Sequence, residues 1–142
     1  MFVLKKETDY AVQFLQSLSA KPRRKVGAPT SASENKNFVS LKQFSKKSGI
    51  SFWFLQKIAR KLNLAGIIEA EQGINGGYRL HKSAQNLSLY KIFEIMEGKL
   101  VITPCLSKNG CICNNSNKNC NVQKITTKLN KEMIKMMQRV KI

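Results

Sequence analysis

Four cysteines, Cys105, Cys111, Cys113 and Cys120, are spaced C-x5-C-x-C-x6-C in a stretch otherwise rich in Asn, Ser, Gly and Lys. Thiolates on a bendable loop suit iron-sulfur ligation, because the cluster itself dictates the final geometry. Zinc is the rival occupant: four thiolates satisfy its tetrahedral shell, although the C-x2-C knuckle of most structural zinc sites is missing. In a reducing cytosol such clustering points to bound metal or redox chemistry rather than to structural disulfides. Acid-base chemistry has little to work with. One His, His81, and one Asp, Asp9, are present in the whole sequence, so the paired groups of hydrolytic or triad catalysis are nearly absent. A non-enzymatic role is expected.

The charge balance names the partner class. Over 142 residues, 25 Lys and Arg face 8 Asp and Glu, a formal net charge of +17. A polyanion is the default ligand of such a chain, with nucleic acid favoured over an anionic membrane. No apolar run approaches the roughly 18 residues of a membrane span, and Met1 to Lys6 lacks the apolar stretch and cleavage site of a signal peptide. A cytoplasmic location is expected.

The elements that must position these groups are mostly helical. Tyr10, Ala11, Phe14, Leu15 and Leu18 recur at helical spacing, predicting an amphipathic helix from about Lys6 to Leu18. Residues 21–37 carry two prolines and no apolar period, which marks a loop; a solvated basic loop is the plain reading of its Arg23, Arg24 and Lys25, and phosphate contact the other. Phe38 to Ser40 read as extended. Ser40 then stands where it can cap a helix holding Leu41 and Phe44, Gly49 breaks that helix, and Ser51 can cap a second one with the apolar stripe Phe54, Leu55, Ile58 and Leu62. The second helix presents Gln56, Lys57, Arg60 and Lys61 on its other face, donors suited to base edges and phosphates in a major groove; alone, a solvated cationic face would be the simpler reading. Ile67, Ile68 and Tyr78, Leu80 flank a glycine-rich tip with Gly73, Gly76 and Gly77, a hairpin or wing from which main-chain amides and Arg79 or His81 can reach phosphate or a minor groove. An ordinary tight turn is the alternative. Ser88 opens a further helix with Leu89, Ile92, Phe93 and Met96, closed by Gly98. Finally Val122, Ile125, Leu129, Met133, Met136 and Val140 recur every three or four residues, with lysines outside. Little chain remains to cover that stripe, so pairing with the same helix of a second subunit is the economical expectation, against packing back onto its own domain. The expected fold is mainly α with a small β-hairpin wing: a winged helix-turn-helix domain over 1–98, a cysteine-rich loop over 99–121 and a dimerisation helix over 122–142.

The order of motifs resembles the Rrf-type family of winged-helix transcription regulators, which has an Isc-regulator branch and a nitric-oxide-sensing branch. The resemblance rests on Thr8-Asp9-Tyr10-Ala11, on Gly49-Ile50-Ser51 with Phe54-Leu55, and on the run from Leu62 to Ile67. It continues through Gly73-Ile74-Asn75-Gly76-Gly77-Tyr78-Arg79-Leu80, Leu87-Ser88-Leu89, Glu97-Gly98 and the cysteine segment. It implies a homodimeric regulator, expected to be a repressor, that binds double-stranded DNA at a partly palindromic operator with one recognition helix per subunit in the major groove. The DNA-binding set is then Ser51, Trp53, Gln56, Lys57, Arg60, Lys61, Gln72, Asn75, Gly76, Gly77 and Arg79. At the wing, Gln72 stands where the family commonly has Arg, a lost cation that Arg79 and the loop arginines would offset. Trp53 beside Phe52 is unusual, and one of the two is expected to pack against the wing or the DNA. Family sensors hold a two-iron or four-iron cluster through three cysteines spaced by about five residues. Cys105 and Cys111 fit that spacing, Cys120 follows after a small insertion, and Cys113 is an extra thiol able to replace Cys111, act as fourth ligand or stand free. A His three residues after the last cysteine marks the Isc branch, but Gln123 stands there; Asp9 matches the carboxylate of the nitric-oxide branch, which favours a four-iron cluster. Charge compensation at a helix start is the plainer role for Asp9. Alternatives are a cluster-free regulator of the same fold using thiol redox or a partner protein, and a zinc-stabilised basic RNA-binding protein.

Overall fold

A computed structural model of the chain describes residues 4–19, 38–73, 76–84, 86–107 and 120–142. Helix α1 (Lys6–Ser19) turns Thr8, Ala11, Phe14 and Leu15 inward. Helix α2 (Leu41–Ser48) stops at Gly49, whose φ of 73° is left-handed and therefore suits glycine. Helix α3 (Phe52–Leu64) follows and buries Leu55, Ile58, Ala59 and Leu62. Ser40 and Ser51 occupy the N-cap positions of α2 and α3, but neither hydroxyl makes a capping bond. Ser88 does cap α4 (Leu89–Glu97), accepting from the Lys91 amide at 3.3 Å. The core joins these stripes with Leu41, Ile50, Ile67, Ile68, Ile92 and Met96.

The wing is an antiparallel pair, β1 (Ile68–Glu71) and β2 (Gly77–Leu80), in the register Ile68 to Leu80 and Glu69 to Arg79. Val39 adds a single bridge to its outer side, exchanging amide and carbonyl bonds with Tyr78 at 2.8 and 3.0 Å. Gly77 permits that approach, since a Cβ there would lie 2.7 Å from the Val39 carbonyl oxygen. The extended reading of residues 38–40 matches this bridge.

The long helix α5 (Asn121–Arg139) packs against α4 and against a 3-10 turn at Pro104–Leu106. The segment after it pairs with the start of α4: Leu89 donates to the Val140 carbonyl and Ile142 to that of Leu87, at 2.9 and 3.0 Å. No α5 residue is buried, and Val122, Ile125, Leu129, Met136 and Val140 are each 51–67% exposed. The helix thus packs back on its own domain and still leaves its apolar stripe uncovered in the single chain. Among the described residues, no helix is long and apolar enough to cross a membrane.

Candidate nucleic-acid interface

Burial of Leu55, Ile58, Ala59 and Leu62 fixes how α3 is rotated, and the opposite face is left to solvent. Trp53, Gln56, Lys57 and Arg60 fall there at i, i+3, i+4 and i+7, and all four are exposed. They line one groove together with Tyr78 of β2, so the helix and the wing contribute to a single surface. Tyr78 is the member that sequence reasoning missed; its place in the wing motif was the available signal. Ser51, also exposed, sits at the head of the helix beside a second hollow shared by Tyr10, Ile50, Trp53 and Lys57. Trp53 is 78% exposed. Its indole meets Phe52 edge-on, with ring centroids 6.2 Å apart at 70°, and Phe52 in turn packs on the core.

Lys61 stands apart from this set. Its Nζ lies 2.9 Å from Glu7 Oε2 and 3.1 Å from the Met96 carbonyl oxygen, joining α3 to α1 and α4. Its hydrogen bond holds the Glu7 carboxyl below the ordinary value of 4.5, against a smaller desolvation effect. Close by, Glu97 accepts from the Lys5 amide at 3.0 Å and from the buried Thr8 hydroxyl. One polar knot therefore ties the start of α1 to the ends of α3 and α4. Such pairings span 35 to 92 residues of sequence, beyond the reach of local pattern.

At the wing, Arg79 is engaged across the strands. Its guanidinium bonds Glu69 Oε2 at 2.5–2.6 Å and lies over the Phe38 ring, 5.2 Å from the centroid. This hydrogen bond holds the Glu69 carboxyl below 4.5. His81 Nε2 is 3.3 Å from the other Glu69 oxygen. The cation expected to offset the Gln72 substitution is thus already shared with a carboxylate. Gln72 is exposed. Gly76 and Gly77 serve tight packing, since a Cβ on Gly76 would lie 2.2 Å from the Glu71 carbonyl oxygen. Asn75 and the loop cations Arg23, Arg24 and Lys25 lie outside the described residues.

Of the thiols, Cys105 sits on the 3-10 turn against α5 and Cys120 is the N-cap of α5; both are free and half-buried. Cys111 and Cys113 lie outside the described residues. Asn130 clamps the approach to Cys105, accepting from the Ile102 amide at 3.2 Å and donating to the Leu100 carbonyl at 3.1 Å. Thr103 Oγ1, on the same segment, is buried without a hydrogen-bond partner. Asp9 is exposed on α1, with the Gln13 amide 3.4 Å from Oδ2. Among the described residues no three His, Cys, Asp or Glu side chains come together to hold a metal ion.

Comparison with known proteins places this geometry. The Rrf2 family profile, described as iron-dependent transcriptional regulator, matches residues 4–142. The HTH-type transcriptional regulator NsrR of Shouchella clausii is 29% identical over 109 residues, covering 75% of this chain and 65% of that protein. The HTH-type transcriptional regulator IscR of Vibrio campbellii is 31% identical over 75 residues, covering 53% of this chain and 45% of that protein. The chain thus spans less than two-thirds of these curated relatives. The structure of CymR, the global cysteine regulator of B. subtilis, has the same fold: TM-score 0.69 at 15% identity, over 99% of this chain and 93% of that one. Helix-turn-helix, wing, trailing helix and family profile agree, and the chain belongs to the Rrf2 family, a family of transcriptional regulators rather than enzymes.

Proposed function

We propose that two copies of this chain bind a partly palindromic double-stranded DNA operator, each placing α3 in the major groove and its wing alongside, and that a thiol-held iron-sulfur cluster controls the affinity. The observation that carries the DNA reading is the exposed row Trp53, Gln56, Lys57 and Arg60 on the face of α3 opposite the core, sharing a groove with Tyr78 of the wing. Gln56 supplies an amide able to pair with adenine, Arg60 and Lys57 supply donors for guanine or phosphate, Ser51 stands at the head of the same helix, and Gln72 is exposed on the wing. The pairing surface is the uncovered stripe of α5, so that two recognition helices are held at a fixed separation, as half-sites a helical turn or multiples apart require.

The donor set suits a cluster. Cys105 and Cys120 are free and half-buried, Cys111 and Cys113 lie between them in sequence, and the exposed Asp9 is available as a ligand to a second copy. A bound four-iron cluster would supply a centre that reacts with nitric oxide or oxidants. The residues that would carry the response lead from Cys105 through the Asn130 clamp to α5, and back through the segment after Glu97 to the Thr8, Glu7 and Lys61 knot. A shift along this path moves α3 against α1. A difference of a few kcal/mol between two dimer arrangements is enough to switch operator occupancy.

A cluster-free thiol switch is the second reading, favoured by the same two free, half-buried thiols. Anaerobic purification separates them: brown protein with stoichiometric iron and sulfide supports the cluster, colourless protein the thiol switch, and one bound zinc per chain a zinc-stabilised module. Selection from a random duplex pool tests the DNA reading, which expects an enriched inverted repeat; enrichment of RNA alone would refute it.

A further inference from the structure

Trp53 is the chain's single tryptophan, and it is left 78% exposed. Neither the core nor the wing covers it. Phe52, anchored in the core, braces it edge-on, which limits the positions the ring can take. Tyr10, Ile50 and Phe54 line the hollow on one side of it, while its neighbours along the exposed face, Gln56, Lys57 and Arg60, are polar or cationic, so on that face the indole is the one apolar plane among hydrogen-bonding groups. It stands in the first turn of α3, the end of a recognition helix that meets base edges. Beside its donors and acceptors, a major groove offers small ring C–H edges and one bulky apolar group, the C5-methyl of thymine. That methyl is the chemistry an apolar plane at this point can recognise.

We infer that Trp53 is a specificity-determining residue whose indole covers a thymine methyl, giving each half-site a required T at one position. The inference rests on the DNA reading above and deepens it. Gln56, Lys57 and Arg60 would satisfy neighbouring bases and phosphates equally well beside cytosine, whereas the indole would not. A wedge between base steps is a minor-groove device and does not suit a residue on the helix that enters the major groove.

The test uses the full chain and the duplex enriched by selection. Each T is replaced in turn by deoxyuridine, which keeps every hydrogen-bonding group and removes only the methyl. One symmetric pair of positions is expected at which this change weakens binding roughly four-fold per half-site, the value of covering one methyl. W53A is expected to bind the parent duplex more weakly and to lose the methyl effect at that pair alone. Because the ring is exposed, W53A keeps the fold, which circular dichroism verifies, and W53F should retain part of the discrimination. The native tryptophan fluorescence, which has a single source, should change on binding the T duplex. Deoxyuridine without effect at every position, or an effect that persists in W53A, overturns the inference while leaving DNA binding intact. Failure to bind any duplex overturns the regulator reading and this inference with it.

Discussion

Replacing Leu129 by Lys places a charge at the middle of the uncovered stripe on α5. Leu129 is 54% exposed, and Val122, Ile125, Met136 and Val140 are similarly open. Full burial of such side chains is worth roughly 1.5–3 kcal/mol, so covering the exposed part of each is worth about 1–2 kcal/mol. Five from each copy then give on the order of 10–20 kcal/mol, enough to offset the roughly 4–15 kcal/mol that association costs. In the proposed two-fold dimer Leu129→Lys acts twice. Each copy loses about 1–2 kcal/mol of cover and gains a poorly solvated ammonium, so the dimer should weaken by roughly 4 kcal/mol or more, at least a thousand-fold in Kd. The winged domain should be untouched, because α5 contributes no buried residue to the core. Sedimentation velocity across micromolar dilutions reads the shift, and circular dichroism verifies the fold. A wild-type chain that stays monomeric at tens of micromolar, or a Leu129→Lys chain that dimerises unchanged, would refute the reasoning.

Other expectations follow from the same contacts. Lys57→Ala and Arg60→Ala should each weaken binding to the selected duplex and make its salt dependence shallower by about one unit per lost phosphate contact; Lys61→Met should leave that slope unchanged and cost less than about 1 kcal/mol in thermal unfolding, because its partner is Glu7. Gly77→Ala should destabilise the fold by roughly 1–3 kcal/mol, since the new Cβ meets the Val39 carbonyl and φ is +151°; an unchanged melting temperature would contradict the close packing of the wing. Glu7, Glu69 and Glu132 are held below 4.5 by hydrogen bonds from Lys61, Arg79 and Lys135 respectively. Their contribution to stability is complete above that value and is lost as the pH falls below it, so melting temperature should be level from pH 7 to about 5 and drop beneath, less steeply in Glu7→Gln.

Much of this architecture is legible in local pattern. The stripes in α1, α3 and α4 are buried where their 3.6-residue period puts them, and Gly49 ends α2 in the left-handed conformation that its type allows. The wing follows from its glycines, and the register that sets Glu69 opposite Arg79 decides what Arg79 does. Sequence shows Arg79 as a spare cation because alternation along one strand does not name the partner on the next. The pairing of Lys61 is hidden for the same reason: it borders the apolar stripe, and its carboxylate partner is on another helix. Two caps named from residue type, Ser40 and Ser51, stand at the right positions without the side-chain bond. Asn130 carries no local signal at all, being one polar residue among several on an amphipathic helix until the chain folds the 100–102 segment against it. Trp53, by contrast, is conspicuous in the sequence, and its exposure on the groove side of α3 gives the oddity a direction.

Guanine methylation protection on the selected duplex tests the central claim most directly, because dimethyl sulfate attacks N7 in the major groove, where α3 is held to lie. Two protected patches on one face of the duplex, centred a helical turn or multiples apart and both lost with Lys57→Ala and Arg60→Ala together, are the predicted result. Protection that ignores those two residues, or a single patch with no symmetric partner, would contradict it.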